Sequence, residues 1–381
     1  MDFVFPNDLN VTWSVMIVLY PYITGLVAGA FIVSSLYHVF GRQELKPVAR
    51  FSLASAFVFL LFAPLPLLIH LGYPERSFNI MITPNFSSAM AGFGYIYTAY
   101  LIVVVMEIWF VMRGDFIKRA KGGGLWALVA KVILLFNLHE SDETRRADAR
   151  ITKILAAIGI PMACLLHGYV GFLFGSLKAN PWWSTPLMFV IFIFSAIVSG
   201  IAVLIFHYFI VSRINRWRID QPCVRSMGKY LWGFMIVAVS LELLEVMSVA
   251  YKQTEEWEVI HDLINHHLFY SYVVVQFLLL SVVPFGMLAT TALVRMRDSI
   301  NNTLLWMAST MLLGQVLLMR WNVVVGGQML SKSMRGFTSY FPGIWEKEGI
   351  AVAVIVFTTP FFLLWLFHRF VPLFPGVEKK A

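Results

Sequence analysis

Residues Ser184–Val211 read STPLMFVIFIFSAIVSGIAVLIFHYFIV, a stretch without a single Asp, Glu, Lys or Arg. A helix needs about 20 apolar residues to cross a hydrocarbon core of ~30 Å. A soluble helix of this length would show a polar face, and this one has none. The stretch is therefore a membrane span. Eight others qualify, and with it they run Thr12–Phe40, Pro47–Leu71, Ser87–Met112, Ile151–Gly175, Ser184–Val211, Ser226–Tyr251, His267–Val294, Thr303–Leu330 and Gly349–Val371. The sequence thus predicts an all-α integral membrane protein of nine transmembrane helices.

Composition agrees. The chain is 59% hydrophobic and only 13% charged, with a mean hydropathy of +0.76, against about 25% charged in soluble domains. Its 33 Phe, 12 Trp and 14 Tyr suit a lipid-facing surface with aromatic belts. The net charge of +8 is not a nucleic-acid footprint, because its distribution follows the membrane. The segments after helices one, three, five, seven and nine, counted with the flanking Arg50, Lys229 and Arg369, hold 21 Lys and Arg. The alternate segments hold six, and Lys153 and Arg320 lie inside helices. The positive-inside rule then predicts an outer N-terminus and a cytoplasmic C-terminus.

Gly124–Leu138 is too short to span and contains Lys131. It reads as an interfacial or re-entrant helix within a basic cytoplasmic loop, Arg113–Arg150. The acidic N-terminus, Met1–Asp8, lacks the basic region of a signal peptide, so helix one is expected to be retained. Residues 1–381 read as one polytopic domain. Cys164 and Cys223 fall in no Cys-x-x-Cys pattern, and no metal, iron–sulfur or c-haem site is expected.

The unusual residues concentrate toward the outer half. Helix four ends His167-Gly168-Tyr169-Val170-Gly171-Phe172-Leu173-Phe174-Gly175, followed by Pro181-Trp182-Trp183. His167, Gly171 and Gly175 share a helix face, which can admit a neighbouring helix or a flat ligand. The Pro-Trp-Trp reads as an interface anchor. Helix eight carries Arg320-Trp321-Asn322 and ends Gly326-Gly327-Gln328. Arg320 cannot shed its proton, so it must meet protein, water or an anion, a helix-six carboxylate being one alternative. Glu242 and Glu245 lie i,i+3 on helix six, Glu107 lies on helix three, and His70 opens the loop after helix two. Tyr20-Pro21-Tyr22 and Gly25-x-x-x-Gly29 make helix one bent and closely packed. An aromatic cleft with a His and buried charge suits a quinone, whose two-electron chemistry moves two protons. Structural roles remain open for each of these groups.

At these motifs the sequence resembles the NrfD/PsrC family, the membrane subunits of polysulfide-reductase-type complexes. The carriers are His167–Trp183, Arg320–Gln328, and His70-Leu71-Gly72-Tyr73-Pro74-Glu75-Arg76 followed by Thr83-Pro84-Asn85-Phe86-Ser87-Ser88-Ala89-Met90. Within the family these look most like the DsrP or HmeB branch of sulfite-reduction-associated complexes. The resemblance implies two four-helix bundles plus a peripheral helix in a prokaryotic cytoplasmic membrane, without haem or iron–sulfur cluster in this chain. It implies menaquinone or another quinone bound near the outer surface. It also implies electron exchange with a ferredoxin-like iron–sulfur subunit docked outside, among other redox subunits. The quinone-binding candidates are His167, Tyr20, Arg320, Asn322 and Gln328; those for proton transfer are Glu107, Glu242, Glu245 and His70. Many relatives carry Asp where this chain has His70, so no carboxylate role transfers there. Two alternatives stand beside this reading: a b-type cytochrome using His38, His207 and His368, and a proton-coupled transporter. The latter lacks a Gly/Pro-broken helix pair in corresponding halves.

Overall fold

The computed structural model describes residues 11, 13–253, 255–331 and 336–374; the Met1–Asp8 segment lies outside them. Among the described residues nine helices are long and apolar enough to cross a membrane: α1 Val15–His38, α2 Gln43–His70, α3 Ala89–Ala120, α4 Asp142–Gly175, α5 Met188–Ile214, α6 Gln221–Lys252, α7 Phe269–Leu293, α8 Asp298–Met329 and α9 Ile350–Phe370. Helices α1–α4 pack around one another, α5–α8 form a second bundle, and α9 lies outside against α1 and α2.

The bundles meet along α1 and α5. Within their most apolar stretches 89% of α1 and 72% of α5 is buried, against 11% for α6 and 17% for α9, so α1 and α5 form the centre. Glycine sets the crossing. A Cβ at Gly29 would stand 2.6 Å from the Gly200 Cα. Backbones this close require small residues on both helices, and without a hydrophobic drive between helices in lipid such packing holds the interface.

The helices α3 and α4 run past the expected span ends. Arg113–Ala120 and Asp142–Arg150 remain helical, so the basic segment is two helix extensions joined by a short linker. Outside the hydrocarbon, charged residues are good helix formers, and Arg113 bridges the two extensions by pairing with Asp148 at 3.1 Å. Ser141 caps α4 in a reciprocal box with Thr144. The linker holds helix Leu125–Ile133, nine residues long, or about 14 Å, which cannot span. Its Ala127 and Ala130 are buried, and Trp109 of α3 donates to the Ile133 carbonyl.

Two spans are irregular. Pro64 and Pro66 interrupt α2 after Phe62. In α7, residues Phe269–Val282 form a π-helix before α-geometry resumes at Val283–Leu293. These irregular spans are second in the first bundle and third in the second, so they do not occupy corresponding places.

Candidate functional site

Arg320 is fully buried on α8. Its Nη2 donates to Nε2 of His167 on α4 at 3.0 Å and to the Ser195 hydroxyl on α5 at 2.5 Å. Its Nη1 approaches the Met319 sulfur at 3.1 Å. The guanidinium lies 3.8 Å from the Phe192 ring centre, and the His167 ring stacks on the same phenyl. No carboxylate lies within ion-pair distance of Arg320 among the described residues, so the helix-six ion pair does not form. Hydrogen bonds and a π-face replace lost hydration instead. Arginine only donates, so His167 Nε2 must accept. The ring is therefore neutral with its proton on Nδ1, an atom with no partner among the described residues.

The segment after α4 fastens the C-terminal end of α8. Asn180 donates to the Gly327 carbonyl at 2.8 Å, Trp182 to Asn322 at 3.0 Å and Trp183 to Val323 at 2.6 Å. Gly327 leaves the space that the Trp183 ring occupies, and Trp13 stacks on that ring. The two tryptophans thus serve as inward fasteners, where the sequence pointed to an interface anchor. The glycine face of α4 serves packing as well: a Cβ at Gly171 would meet the Met188 carbonyl at 2.5 Å.

Arg320 and Asn322 are two residues apart, about 200° around the helix, and they face different neighbours. Asn322 faces a cleft between α6, α7, α8 and the Pro181–Thr185 segment. The cleft holds about 620 Å³ of non-protein space, part of it open to the surroundings. Glu242, Glu245, Tyr272, Gln276 and Asn322, with Ser184 and Thr185, supply its polar groups; Met188, Val246 and other apolar side chains supply most of the rest. A directional relay crosses it. Ser271 Oγ donates to Asn322 Oδ1 at 2.9 Å, Asn322 Nδ2 to Gln276 Oε1 at 2.8 Å, and Gln276 Nε2 to Glu242 Oε2 at 3.1 Å. Each amide is thereby held in one orientation, and Glu242 keeps Oε1 without a hydrogen-bond partner among the described residues.

Ser271, Tyr272 and Gln276 escaped the sequence reading. The available signal was Gln276, a lone amide in an otherwise uncharged span. π-Helical turns often mark functional sites, and this one carries Tyr272 and Gln276 to the cleft.

The remaining candidates lie apart. Tyr20 is buried edge-to-face on Phe93. Gln328 ends α8, where its carbonyl accepts from Thr338 at 3.3 Å. Glu107 is fully buried on α3 with no hydrogen-bond partner among the described residues for either oxygen. His207 packs on Phe51 and Phe361, and His368 on Trp217 and Phe374, while His38 sits at the opposite end of α1 from Ser14.

His70 Nδ1 donates to Glu348 Oε2 at 2.6 Å, and Ser14, the α1 N-cap, donates to the same carboxylate. This latch joins the N-terminal end of α1, the C-terminal end of α2 and the residues just before α9. Burial pushes the Glu348 carboxyl up, but the bonds from His70 and Ser14 and the charges of His70 and Lys347 outweigh it and hold it below its ordinary value. A lowered folded-state value stabilises the protein above the unfolded carboxylate range and is lost as pH falls through the folded value. Thermal unfolding of the wild type is therefore expected to steepen its decline on acidification below about pH 4. Glu348→Gln removes that step and lowers the melting temperature at neutral pH; equal pH profiles for both proteins would count against the latch.

The fold is that of a polytopic integral membrane protein with charged and polar side chains buried between its spans. The chain belongs to the family described as Polysulphide reductase, NrfD, whose profile matches residues 5–331. It is 34% identical to a selenate reductase subunit of Mesobacillus selenatarsenatis, over 52% of this chain and 48% of that one. It is 27% identical to a putative dimethyl sulfoxide reductase membrane subunit of Halobacterium salinarum, over 59% and 49%. It is 21% identical to the Hdr-like menaquinol oxidoreductase integral membrane subunit of Archaeoglobus fulgidus, over 60% and 49%. The chain spans about half the length of these relatives.

Proposed function

We propose that this protein is the quinone-reactive membrane subunit of a multi-subunit respiratory oxidoreductase, and that the cleft beside Asn322 is where the quinone ring reacts. The observation carrying this is the Ser271–Asn322–Gln276–Glu242 relay, which ends in a carboxylate inside a cleft whose walls are mostly apolar. Such sites combine apolar walls with a few convergent polar groups. The relatives named for selenate, dimethyl sulfoxide and menaquinol chemistry support the same reading.

Quinol oxidation releases two electrons and two protons. Asn322 and Gln276 orient the ring oxygens, and Glu242 accepts the two protons in turn, each passed on through Glu245 one helical turn away before the next is taken up. Electrons leave to a ferredoxin-like iron–sulfur subunit on the outer face; the reverse flow reduces quinone. The Arg320–His167 pair fixes the α8 segment from behind, while Tyr20 and Gln328 lie outside the cleft lining. Glu107 and His70 belong to proton movement in the first bundle and at the outer surface. This reading sets the N-terminus outside and the C-terminus in the cytoplasm of a prokaryotic cell.

Trp182 lines the cleft, so a menaquinone analogue titrated into the purified chain should quench its fluorescence saturably, and Trp182→Phe should remove that component. Linear, unsaturable quenching would sink the proposal. A reduced-minus-oxidised visible spectrum of the same sample separates it from a b-type cytochrome, which would give a sharp band at stoichiometric amounts.

A further inference from the structure

The inner ends of α1–α4 surround a second, wide-mouthed cavity at the basic end of the first bundle, with about 1820 Å³ of non-protein space, part of it open to the surroundings. Its wall carries five cationic side chains, Lys46, Arg50, Lys118, Arg145 and Lys153, and three carboxylates, Asp115, Glu140 and Asp148. The carboxylates are already paired. Asp115 meets Arg50 at 2.5 Å, Glu140 meets Arg145 at 3.1 Å, and Asp148 meets Arg113 at 3.1 Å. Lys46 and Lys153 have no ion-pair partner among the described residues, although both face the cavity. They approach it from different helices, α2 and α4.

The depth of the cavity matches a headgroup. Helix Leu125–Ile133 packs against α3 at the same end and exposes Leu125, Trp126, Leu128 and Val132. A short helix with one apolar exposed face lies in the membrane interface. Apolar side chains, Val39, Phe110 and Val111 among them, complete the cavity wall. Two uncompensated ammonium groups above an apolar wall, at headgroup level, match a phosphate joined to acyl chains. Basic pockets between spans on the positive side of a membrane bind such headgroups.

We propose that this cavity binds the phosphate headgroup of an anionic phospholipid, with Lys46 and Lys153 as its cationic contacts. The site is independent of the quinone cleft, which lies in the other bundle.

The test uses the full-length chain, delipidated in detergent and titrated with phosphatidylglycerol, phosphatidylcholine or inorganic phosphate, bound molecules being counted by native mass spectrometry. Phosphatidylglycerol should bind selectively. Lys46→Gln with Lys153→Gln should weaken it about thirtyfold, and the double Lys→Arg variant should retain it. Lys178→Gln with Lys252→Gln, at the opposite end, should leave it unchanged. Both cavity lysines are exposed, and an unaltered melting temperature shows that the loss is local. Equal binding of the two lipids, or undiminished phosphatidylglycerol binding by the glutamine variant, would overturn the proposal. Full displacement of the lipid by millimolar inorganic phosphate would also overturn it, because the site would then serve free phosphate.

Discussion

Arg320→Met is expected to lower quinol-dependent electron transfer about a hundredfold and to destabilise the protein by about 2–5 kcal/mol. Two buried acceptors lose their donor, His167 Nε2 and Ser195 Oγ. Each unsatisfied buried group costs about 1–3 kcal/mol, and the π-contact with Phe192 is lost as well. The effect on turnover comes through position. Arg320 and Asn322 sit on the same two turns of α8, so a shift of the helix about His167 displaces the amide on the cleft side. A misplacement near 1 Å is enough for a hundredfold loss. Arg320→Lys keeps the charge but not the planar fork, and its defect should be intermediate. Thermal unfolding of the purified chain and quinol oxidation by the complex check the two effects separately. Unchanged values for Arg320→Met would show that the buried cluster is neither a structural nor a functional determinant.

The membrane class and the span count were legible because lipid imposes a simple rule: every spanning backbone must satisfy itself internally, as a helix of minimum length. Ser184–Val211 has no other reading. The ends of α3 and α4 were harder. Hydropathy stops at the edge of the hydrocarbon, whereas a helix such as Asp142–Gly175 continues into water wherever caps and ion pairs hold it. For the site, residue types alone singled out His167 and Arg320, and the structure brings those two together. It does not bring Arg320 to Glu242 as an ion pair, because the two lie on different sides of α8. The spacing of Arg320 and Asn322 already contained that division. Gln276 went unnoticed because an uncharged amide barely lowers hydropathy, and the π-geometry that aims it has no sequence period of its own. His70 was visible as a polar residue. Its partner Glu348, 278 positions away, could be assigned only by tertiary packing.

Glu242→Gln carries the other large expected effect: a fall in quinol turnover of about 10²–10⁴-fold with little change in stability or quinone affinity. The substitution is nearly isosteric. A glutamine carbonyl at this position can still accept from Gln276 Nε2, which now donates to Glu242 at 3.1 Å, so the relay to Asn322 and Ser271 persists. What disappears is the ability to take up a proton, since an amide oxygen is a far weaker base than a carboxylate. Binding and chemistry should therefore separate, with the apparent affinity near wild type and the maximal rate collapsing. Gln276→Ala gives the complementary pattern. It leaves the carboxylate in place but frees the Asn322 amide to rotate, so affinity suffers more than rate. Glu245→Gln serves as the internal comparison, because Glu245 lines the same cleft from the same face of α6. If only that variant loses turnover, the proton acceptor is one helical turn away and the cleft still stands. If both glutamine variants oxidise quinol at the wild-type rate, no carboxylate in the cleft takes part, and the quinone must react elsewhere in the protein.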